Sequence, residues 1–160
     1  IRIFAEINPA DWKMVIVGGN AKSMTLMETY QHLIQELGME KKILLTGESF
    51  EVDKYYAKSK IFAFTSSSEG FPNALGEAMK AGLAVIAYDC VAGPSDMIQD
   101  QKNGFLIPLH QKELFKTNLI KLMESETLRK NFGGQAHLEM EKYTVEKVGN
   151  LYYNFITENL

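Results

Sequence analysis

The chain alternates short apolar runs with segments of helical periodicity, and this alternation restricts its fold more than any other feature. The apolar runs lie at 14–17, 43–45, 61–64, 84–88 and 105–107. Strands that are apolar at nearly every position are typical of a sheet covered by helices on both faces. Because strands that alternate with helices form βαβ units, we predict an α/β fold with a doubly wound parallel sheet.

Helical patterns fill the intervals between these runs. One pattern covers 24–37 and stops at Gly38, and shorter ones cover 52–57, the segment after Pro72, and 94–98. From Gln111 onward three further helices are predicted, the last opened and capped by Thr144. No linker or internal repeat interrupts the chain, which predicts a single domain over 1–160. The first residues are amphipathic and lack an N-cap, so we expect this chain to be part of a longer protein.

Composition excludes several function classes. The 160 residues carry a net charge of -3, which argues against a nucleic-acid-binding module. Cys90 is the single cysteine, so no intrachain disulfide can form and a reducing, cytoplasmic location is expected. The sequence contains no apolar run near the roughly 18 residues that a membrane-spanning helix needs. A small anionic ligand remains compatible with this charge, because helix N-termini supply local positive potential.

The stretch from Thr65 to Gly104 combines a strand, a small polar loop and a helix, which is how α/β folds hold anions. Gly70 in the loop leaves room for a ligand, and Pro72 suits the first helical turn. The turn should expose free backbone amides that can bind phosphate. These amides belong to Asn73, Ala74 and Leu75.

Two carboxylates frame this helix start, Glu69 in the loop and Glu77 about one turn into the helix. A carboxylate would repel a phosphate, so we expect both to bind hydroxyls. Glu77 is placed to bind a vicinal diol such as that of a ribose. Other glycines follow the earlier strands at the same edge of the predicted sheet, namely Gly18, Gly19 and, beside Thr46, Gly47.

The segment from Glu69 to Met79 reads E-G-F-P-N-A-L-G-E-A-M and resembles the signature of the retaining glycosyltransferases of family 4, which have the GT-B fold. That signature is a Glu, seven residues and a second Glu. Further segments are similar to this family in the same order, covering most of 12–155: V-I-V-G-G, I-L-L-T-G, Y-Y-A-K-S-K-I-F, G-P-S-D-M-I and N-G-F-L-I-P. The resemblance implies the Rossmann-like C-terminal half of such an enzyme, which binds the donor nucleotide sugar.

The resemblance also implies roles for matching residues. Glu77 would bind the ribose, and Glu69 would be the catalytic residue, contacting the hydroxyls of the transferred sugar with Gly70 and Phe71. The diphosphate would lie at the segment from Pro72 to Leu75. The glycines Gly18 and Gly19 would lie on the phosphate side, and Thr46 with Gly47 near the base. The donor would be a UDP- or GDP-sugar, with no metal and no cofactor, and the anomeric configuration would be retained.

The resemblance leaves part of the enzyme unaccounted for. Family members carry an Arg and a Lys that neutralise the diphosphate, and these precede the segment with which this chain begins. The acceptor-binding N-terminal domain also has no counterpart here. We therefore expect the isolated chain to be inactive and to bind donor weakly. Any peripheral association with the inner face of a membrane would come from the missing half.

Simpler interpretations exist for individual residues. The serines Ser66, Ser67 and Ser68 could cap the helix or solvate the loop, and Cys90 is typical of a small buried residue. The methionines, Met79 among them, are predicted to fill the core. The histidines lie far apart in sequence and indicate surface or packing roles: His32, His110 and His137.

Rival functions remain at this point. A nucleotide-sugar epimerase of GT-B fold is disfavoured by the G-F-P-N-A-L run, and a degenerate nucleotide-sugar-binding module is disfavoured by the two intact glutamates. A phosphoacceptor receiver domain would need an acidic pair after the first strand and an acceptor Asp. The strands here end instead in Gly18-Gly19, Thr46-Gly47 and Thr65-Ser66.

Overall fold

The computed structural model describes residues 1–20 and 25–158, and within them the predicted strands and helices all form. The strands are β1 (Met14–Ile16), β2 (Ile43–Leu45), β3 (Ile61–Phe64), β4 (Ala84–Asp89) and β5 (Gly104–Pro108). The first helices are α1 (Arg2–Ile7), α2 (Leu26–Glu36), α3 (Val52–Lys58), α4 (Asn73–Lys80) and α5 (Pro94–Met97). The last are α6 (Lys112–Glu124), α7 (Glu126–Glu139) and α8 (Val145–Glu158), with a 3-10 helix at Met140–Tyr143. The expected start of the second helix at Met24 lies outside the described residues.

All paired strands are parallel, as predicted, but the described strands form two sheets and not one. β1 pairs with β2 in one sheet, and β4 lies between β3 and β5 in the other. Register is set by Val15 opposite Leu44 in the first sheet, and by Ile86 opposite Ala63 and Phe105 in the second. In both sheets the carboxyl ends of the strands lead into the loops that carry the predicted site residues.

β4 is the centre of the core because both of its faces are covered. Val85 and Ala87 belong to an apolar cluster that includes residues of α4 and α7. Ala84 and Ile86, on the opposite face, belong to a second cluster that includes residues of α6 and β5. This alternation is the period of two expected of a strand, and it confirms helices on both sides of the three-stranded sheet.

Within the part of the chain that the structure describes, the two-stranded sheet is covered on one face only, which corrects the prediction that every strand is buried on both faces. Met14, Ile16 and Ile43 pack with α1 and α2 in a third apolar cluster. Val15 and Leu44, which are paired across the sheet, point the other way and are 41% and 57% exposed. A run of consecutive apolar residues therefore does not predict whether other elements cover both faces of the strand that it forms.

The end of α2 and the start of α8 follow the sequence signals closely. α2 ends before Gly38, which adopts a left-handed φ of 65° while the amide of Met39 donates to the Ile34 carbonyl. That glycine is a C′ residue, as predicted. At α8, the Thr144 hydroxyl accepts a hydrogen bond from the Lys147 amide at 3.3 Å, confirming its capping role. α8 itself has no buried residue and exposes a row of apolar side chains.

Candidate functional site

The start of α4 lies between two loops at the carboxyl edge of the three-stranded sheet. The loop after β3 runs beside the loop after β4, where Ser68 forms a parallel bridge with Val91. Pro72 is buried at this point, whereas Gly70 and Phe71 are exposed. A Cβ built on Gly70 would meet no atom within 4 Å, so this position has the open space that the sequence predicted.

The first turn of α4 exposes fewer free amides than predicted. Pro72 is the N-cap and not the first helical residue, and its φ of -82° and ψ of 75° are those of an inverse γ-turn. The Asn73 amide donates to the Phe71 carbonyl at 2.9 Å, and the Leu75 amide donates to the Pro72 carbonyl at 3.0 Å. Two of the three amides expected to be free are therefore occupied, which leaves the Ala74 amide.

The serines of the preceding loop do not cap α4. The N-cap is Pro72, and α4 has no side-chain capping hydrogen bond. Ser67 and Ser68 are exposed to solvent, in agreement with the simpler interpretation that the serines keep the loop hydrated. Glu69 is half-buried, and in the part of the chain that the structure describes its carboxylate has neither a hydrogen bond nor an ion pair.

Glu77 is anchored to a neighbouring helix. The Tyr56 hydroxyl of α3 lies 3.1 Å from Glu77 Oε2 and 3.3 Å from the Ala74 carbonyl oxygen. Burial, together with the adjacent Glu77 carboxylate, raises the pKa of Tyr56 to about 12. The phenol is therefore a hydrogen-bond donor throughout the physiological range. The sequence did not predict a role for Tyr56. Its one signal was the hydroxyl that this residue of α3 carries on an otherwise apolar side chain.

A groove of ≈ 680 Å³ crosses the outer face of α4, and it contains Glu77. Of the predicted site residues, Phe71, Asn73 and Glu77 line it. The remaining walls come from α3, the middle and C-terminal end of α4, the end of α5 and the region of the 3-10 helix: Asp53, Tyr56, Ala57, Gly76, Lys80, Ala81, Met97, Met140, Tyr143, Thr144 and Val145. The groove thus joins the start of α4 to the Tyr56–Glu77 pair.

The glycine turns after β1 and β2 meet each other. The Gly18 amide donates to the Gly47 carbonyl at 2.9 Å, and the two residues form an antiparallel bridge. Thr46 folds its hydroxyl back onto the Gly47 carbonyl at 2.9 Å. A Cβ on Gly19 would lie 3.3 Å from Glu48 Cβ, so the turns are in close contact. The structure therefore brings the four predicted nucleotide-proximal residues together.

Other residues have the structural roles that their patterns indicated. Met79 and Cys90 are buried. His137 Nδ1 lies 2.6 Å from the Lys80 carbonyl oxygen, at the C-terminal end of α4. Across residues 1–20 and 25–158, no group of three His, Cys, Asp or Glu side chains is arranged to hold a metal ion. Within the same residues, no helix has the length and apolar character to cross a membrane.

Comparison with known proteins decides the family. Residues 1–138 match the family of glycosyl transferases group 1. The chain belongs to this family. The amylovoran biosynthesis glycosyltransferase AmsD of Erwinia amylovora is 33% identical to this group 1 chain over 146 residues, which are 91% of the chain and 40% of AmsD.

Two solved structures share the fold of this group 1 domain. A variant of S. aureus TarM in complex with UDP, alpha-GlcNAc-glycerol and fondaparinux is 27% identical, with a TM-score of 0.81 over 95% of this chain and 30% of TarM. Anabaena HepE in complex with UDP is 20% identical, with a TM-score of 0.87 over 98% of this chain and 44% of HepE. They confirm the α/β fold with parallel sheets. This chain spans less than half the length of each of these three proteins.

Proposed function

We propose that this chain is the donor-binding domain of a retaining glycosyltransferase that uses a nucleotide-diphosphate sugar. The observation that carries the proposal is the position of Glu77. Its Oε2 is held by Tyr56, and in the described part of the chain its Oε1 has no hydrogen-bond partner. The carboxylate lies in a groove that begins at the N-terminal end of α4. This arrangement suits a ribose whose diphosphate lies at the helix start.

The other roles follow the order of groups along a nucleotide sugar. The positive end of α4 and the Ala74 amide would bind the diphosphate, with Pro72, Asn73 and Leu75 shaping the turn. Glu69, Gly70 and Phe71 would contact the transferred sugar. The base would lie beyond the ribose, toward Thr46 and Gly47, with Gly18 and Gly19 closing that side of the cleft. The UDP present in the TarM and HepE structures supports a uridine donor.

The reaction would break the bond between the anomeric carbon and the diphosphate oxygen. The nucleoside diphosphate leaves with the electron pair, the acceptor oxygen bonds to the anomeric carbon on the same face, and the acceptor hydroxyl passes its proton to the departing diphosphate oxygen. Catalysis of this kind needs a positioned donor and a stabilised leaving group, and we propose that it uses no metal. Glu69 is the residue proposed to contact the reacting sugar.

A second domain is needed for turnover in this proposal. The relatives are more than twice as long as this chain, which supports an acceptor-binding domain in the whole protein. Any contact with the inner face of a membrane would come from that domain, in a cytoplasmic enzyme. The cations that neutralise the diphosphate would be an Arg and a Lys of the whole protein that precede the segment with which this chain begins. The isolated chain would then bind donor weakly and transfer no sugar.

An NMR titration of the chain with UDP, GDP and ADP and their sugars tests the site. We expect one base to perturb the amide signals of residues 70–77 and of the Gly18–Gly47 pair. Replacing Glu77 with Ala should weaken binding on the order of tenfold, as loss of a hydrogen bond to a charged group does. If no nucleotide perturbs the amide signals of residues 70–77, the site assignment fails. Separately, transfer of a sugar by the isolated chain would contradict its expected inactivity.

A further inference from the structure

Tyr56 is a buried residue whose hydroxyl contacts the proposed ribose-binding carboxylate of Glu77. Its side chain is 8% exposed and belongs to the same apolar cluster as Phe64 and Leu75. Its ring packs edge-on against Phe62, with 6.0 Å between the ring centroids and an interplanar angle of 64°. These contacts hold the ring in place, so the position of the hydroxyl is set by the core and not by solvent.

The hydroxyl links α3 to α4. It has one proton and two acceptors within reach, Glu77 Oε2 at 3.1 Å and the Ala74 carbonyl at 3.3 Å. A carboxylate is the stronger acceptor of the two, because charge-assisted hydrogen bonds are stronger than neutral ones. The proton is therefore directed to Glu77.

This hydrogen bond restricts a side chain that would otherwise be mobile. Glu77 lies on the exposed side of α4, and a free Glu side chain has rotamer entropy to lose on binding. With Oε2 held by a buried ring, part of that entropy is already lost before a ligand arrives. Oε1 and the second lone pair of Oε2 then remain for two adjacent hydroxyls.

We propose that Tyr56 is a positioning residue, which fixes the Glu77 carboxylate in the orientation that binds the 2′- and 3′-hydroxyls of the donor ribose. The proposal rests on the ribose-binding role of Glu77 proposed above. Tyr56 touches neither the sugar nor the diphosphate in this scheme, and it acts through Glu77. Ribose recognition then depends on the packing of α3 against α4.

The test compares ribose with 2′-deoxyribose. Kd is measured by NMR for UDP and 2′-deoxy-UDP, and for the matching GDP and ADP pairs, in the unmodified chain and in Tyr56→Phe, Glu77→Gln and the double variant. Tyr55→Phe is the matched control, because Tyr55 is the adjacent tyrosine on α3 and does not contact Glu77 in the described structure. The readout is the ratio of the 2′-deoxy Kd to the ribose Kd.

We expect a ratio on the order of tenfold in the unmodified chain and in Tyr55→Phe, and near one in Glu77→Gln. Tyr56→Phe should lower the ratio to about threefold or less while leaving the Kd for the 2′-deoxy nucleotide within about twofold. In the Glu77→Gln background, Tyr56→Phe should change neither Kd by more than about twofold, because it acts through Glu77.

The outcomes separate this proposal from the one on which it rests. A ratio near one in the unmodified chain for every base overturns the ribose role of Glu77. A tenfold ratio that persists in Tyr56→Phe overturns the positioning role and leaves the ribose role standing. If Tyr56→Phe weakens both nucleotides equally, Tyr56 is a structural residue only. Amide spectra recorded for each variant show whether it is folded.

Discussion

Gly93 lies directly against the ring of Pro72. A Cβ built on Gly93 would fall 2.3 Å from Pro72 Cδ, and Gly93 has a φ of 109°. The loop after β4 therefore supports the residue that starts α4, at the point where the diphosphate is proposed to bind. Neither the contact nor the backbone angle tolerates a side chain.

Gly93→Ala should destabilise the fold and disturb the start of α4. The added methyl must displace Pro72 and must adopt a strained φ, so we expect a loss of about 2–4 kcal/mol in the free energy of unfolding. Urea unfolding measures this loss. Gly70→Ala is the control, because a Cβ there meets no atom within 4 Å. It should change stability by about 0.5 kcal/mol or less, and equal losses in the two variants would refute the contact.

Two adjacent glycines of α7 should respond in opposite directions to the same substitution. A Cβ on Gly133 would lie 2.1 Å from the Gly82 carbonyl oxygen, whereas one on Gly134 meets nothing within 4 Å. Gly133→Ala forces α7 away from the turn before β4, so we expect it to cost about 2–3 kcal/mol. Gly134→Ala should raise the free energy of unfolding by about 0.5–1 kcal/mol, because Ala has a higher helix propensity than Gly.

Thermal unfolding of both variants, followed by circular dichroism, measures the contrast. At this chain length each kcal/mol shifts Tm by about 2–4 °C, so the two variants should differ in Tm by about 5 °C or more. A Gly133→Ala variant as stable as Gly134→Ala would show that α7 and the turn before β4 are not in close contact.

Local sequence patterns predicted most of the fold because most of its elements have local signals. The apolar runs at 43–45 and 61–64 are strands with those bounds, and Gly38 ends its helix as expected. The meeting of Gly18 with Gly47 followed from a topological rule, since parallel strands carry their carboxyl ends to one edge.

The errors arose where the answer depends on tertiary neighbours. The exposure of Val15 and Leu44 depends on which elements cover the first sheet, and an apolar run does not encode this. Proline fixes φ but leaves ψ open, so the γ-turn at Pro72 that occupies the Asn73 amide had no sequence signal. The Tyr56–Glu77 hydrogen bond joins residues 21 positions apart on different helices, beyond any local pattern.

Asn103 should contribute to stability far more than its place in a loop indicates. It is 2% exposed, its Nδ2 donates to the Met97 carbonyl at 3.0 Å, and its Oδ1 accepts from the Gln99 amide at 2.8 Å. Asn103→Ala leaves both partners without their hydrogen bonds, so we expect a loss of about 2–4 kcal/mol. Asn131 is exposed. Asn131→Ala should therefore lower the free energy of unfolding by about 0.5 kcal/mol or less.

Asn103→Asp makes the same site pH-dependent. A buried carboxylate here faces the Met97 carbonyl, so its folded pKa should lie above the ordinary value of about 3.9. A raised folded pKa gives stability that is complete below the unfolded value and is lost as pH rises through the folded one. Urea unfolding at about pH 4 to 7 measures this effect. The free energy of unfolding of this variant, relative to that of the unmodified chain, should fall as pH rises. A constant difference would contradict the buried hydrogen bond to Met97.

The titration of Tyr56 should report its hydrogen bond to Glu77. Burial is the largest cause of its raised pKa and Glu77 the next, and together they raise the pKa to about 12, from an ordinary tyrosine value of about 10. Because the folded pKa is raised, the stabilisation is complete below pH 10 and is lost as pH rises toward 12. NMR of chain labelled at the tyrosine Cζ, with the Tyr56 signal assigned by Tyr56→Phe, follows the ionisation directly.

Glu77→Gln separates the two causes. It removes the carboxylate but leaves the ring buried, so the pKa of Tyr56 should fall but stay above its ordinary value. Tyr88 and Tyr143, whose pKa values are also raised by burial, are internal references and should not respond to Glu77→Gln. An unchanged Tyr56 titration in this variant would mean that the hydroxyl does not donate to Glu77, and a fall shared by all three tyrosines would indicate loss of the fold.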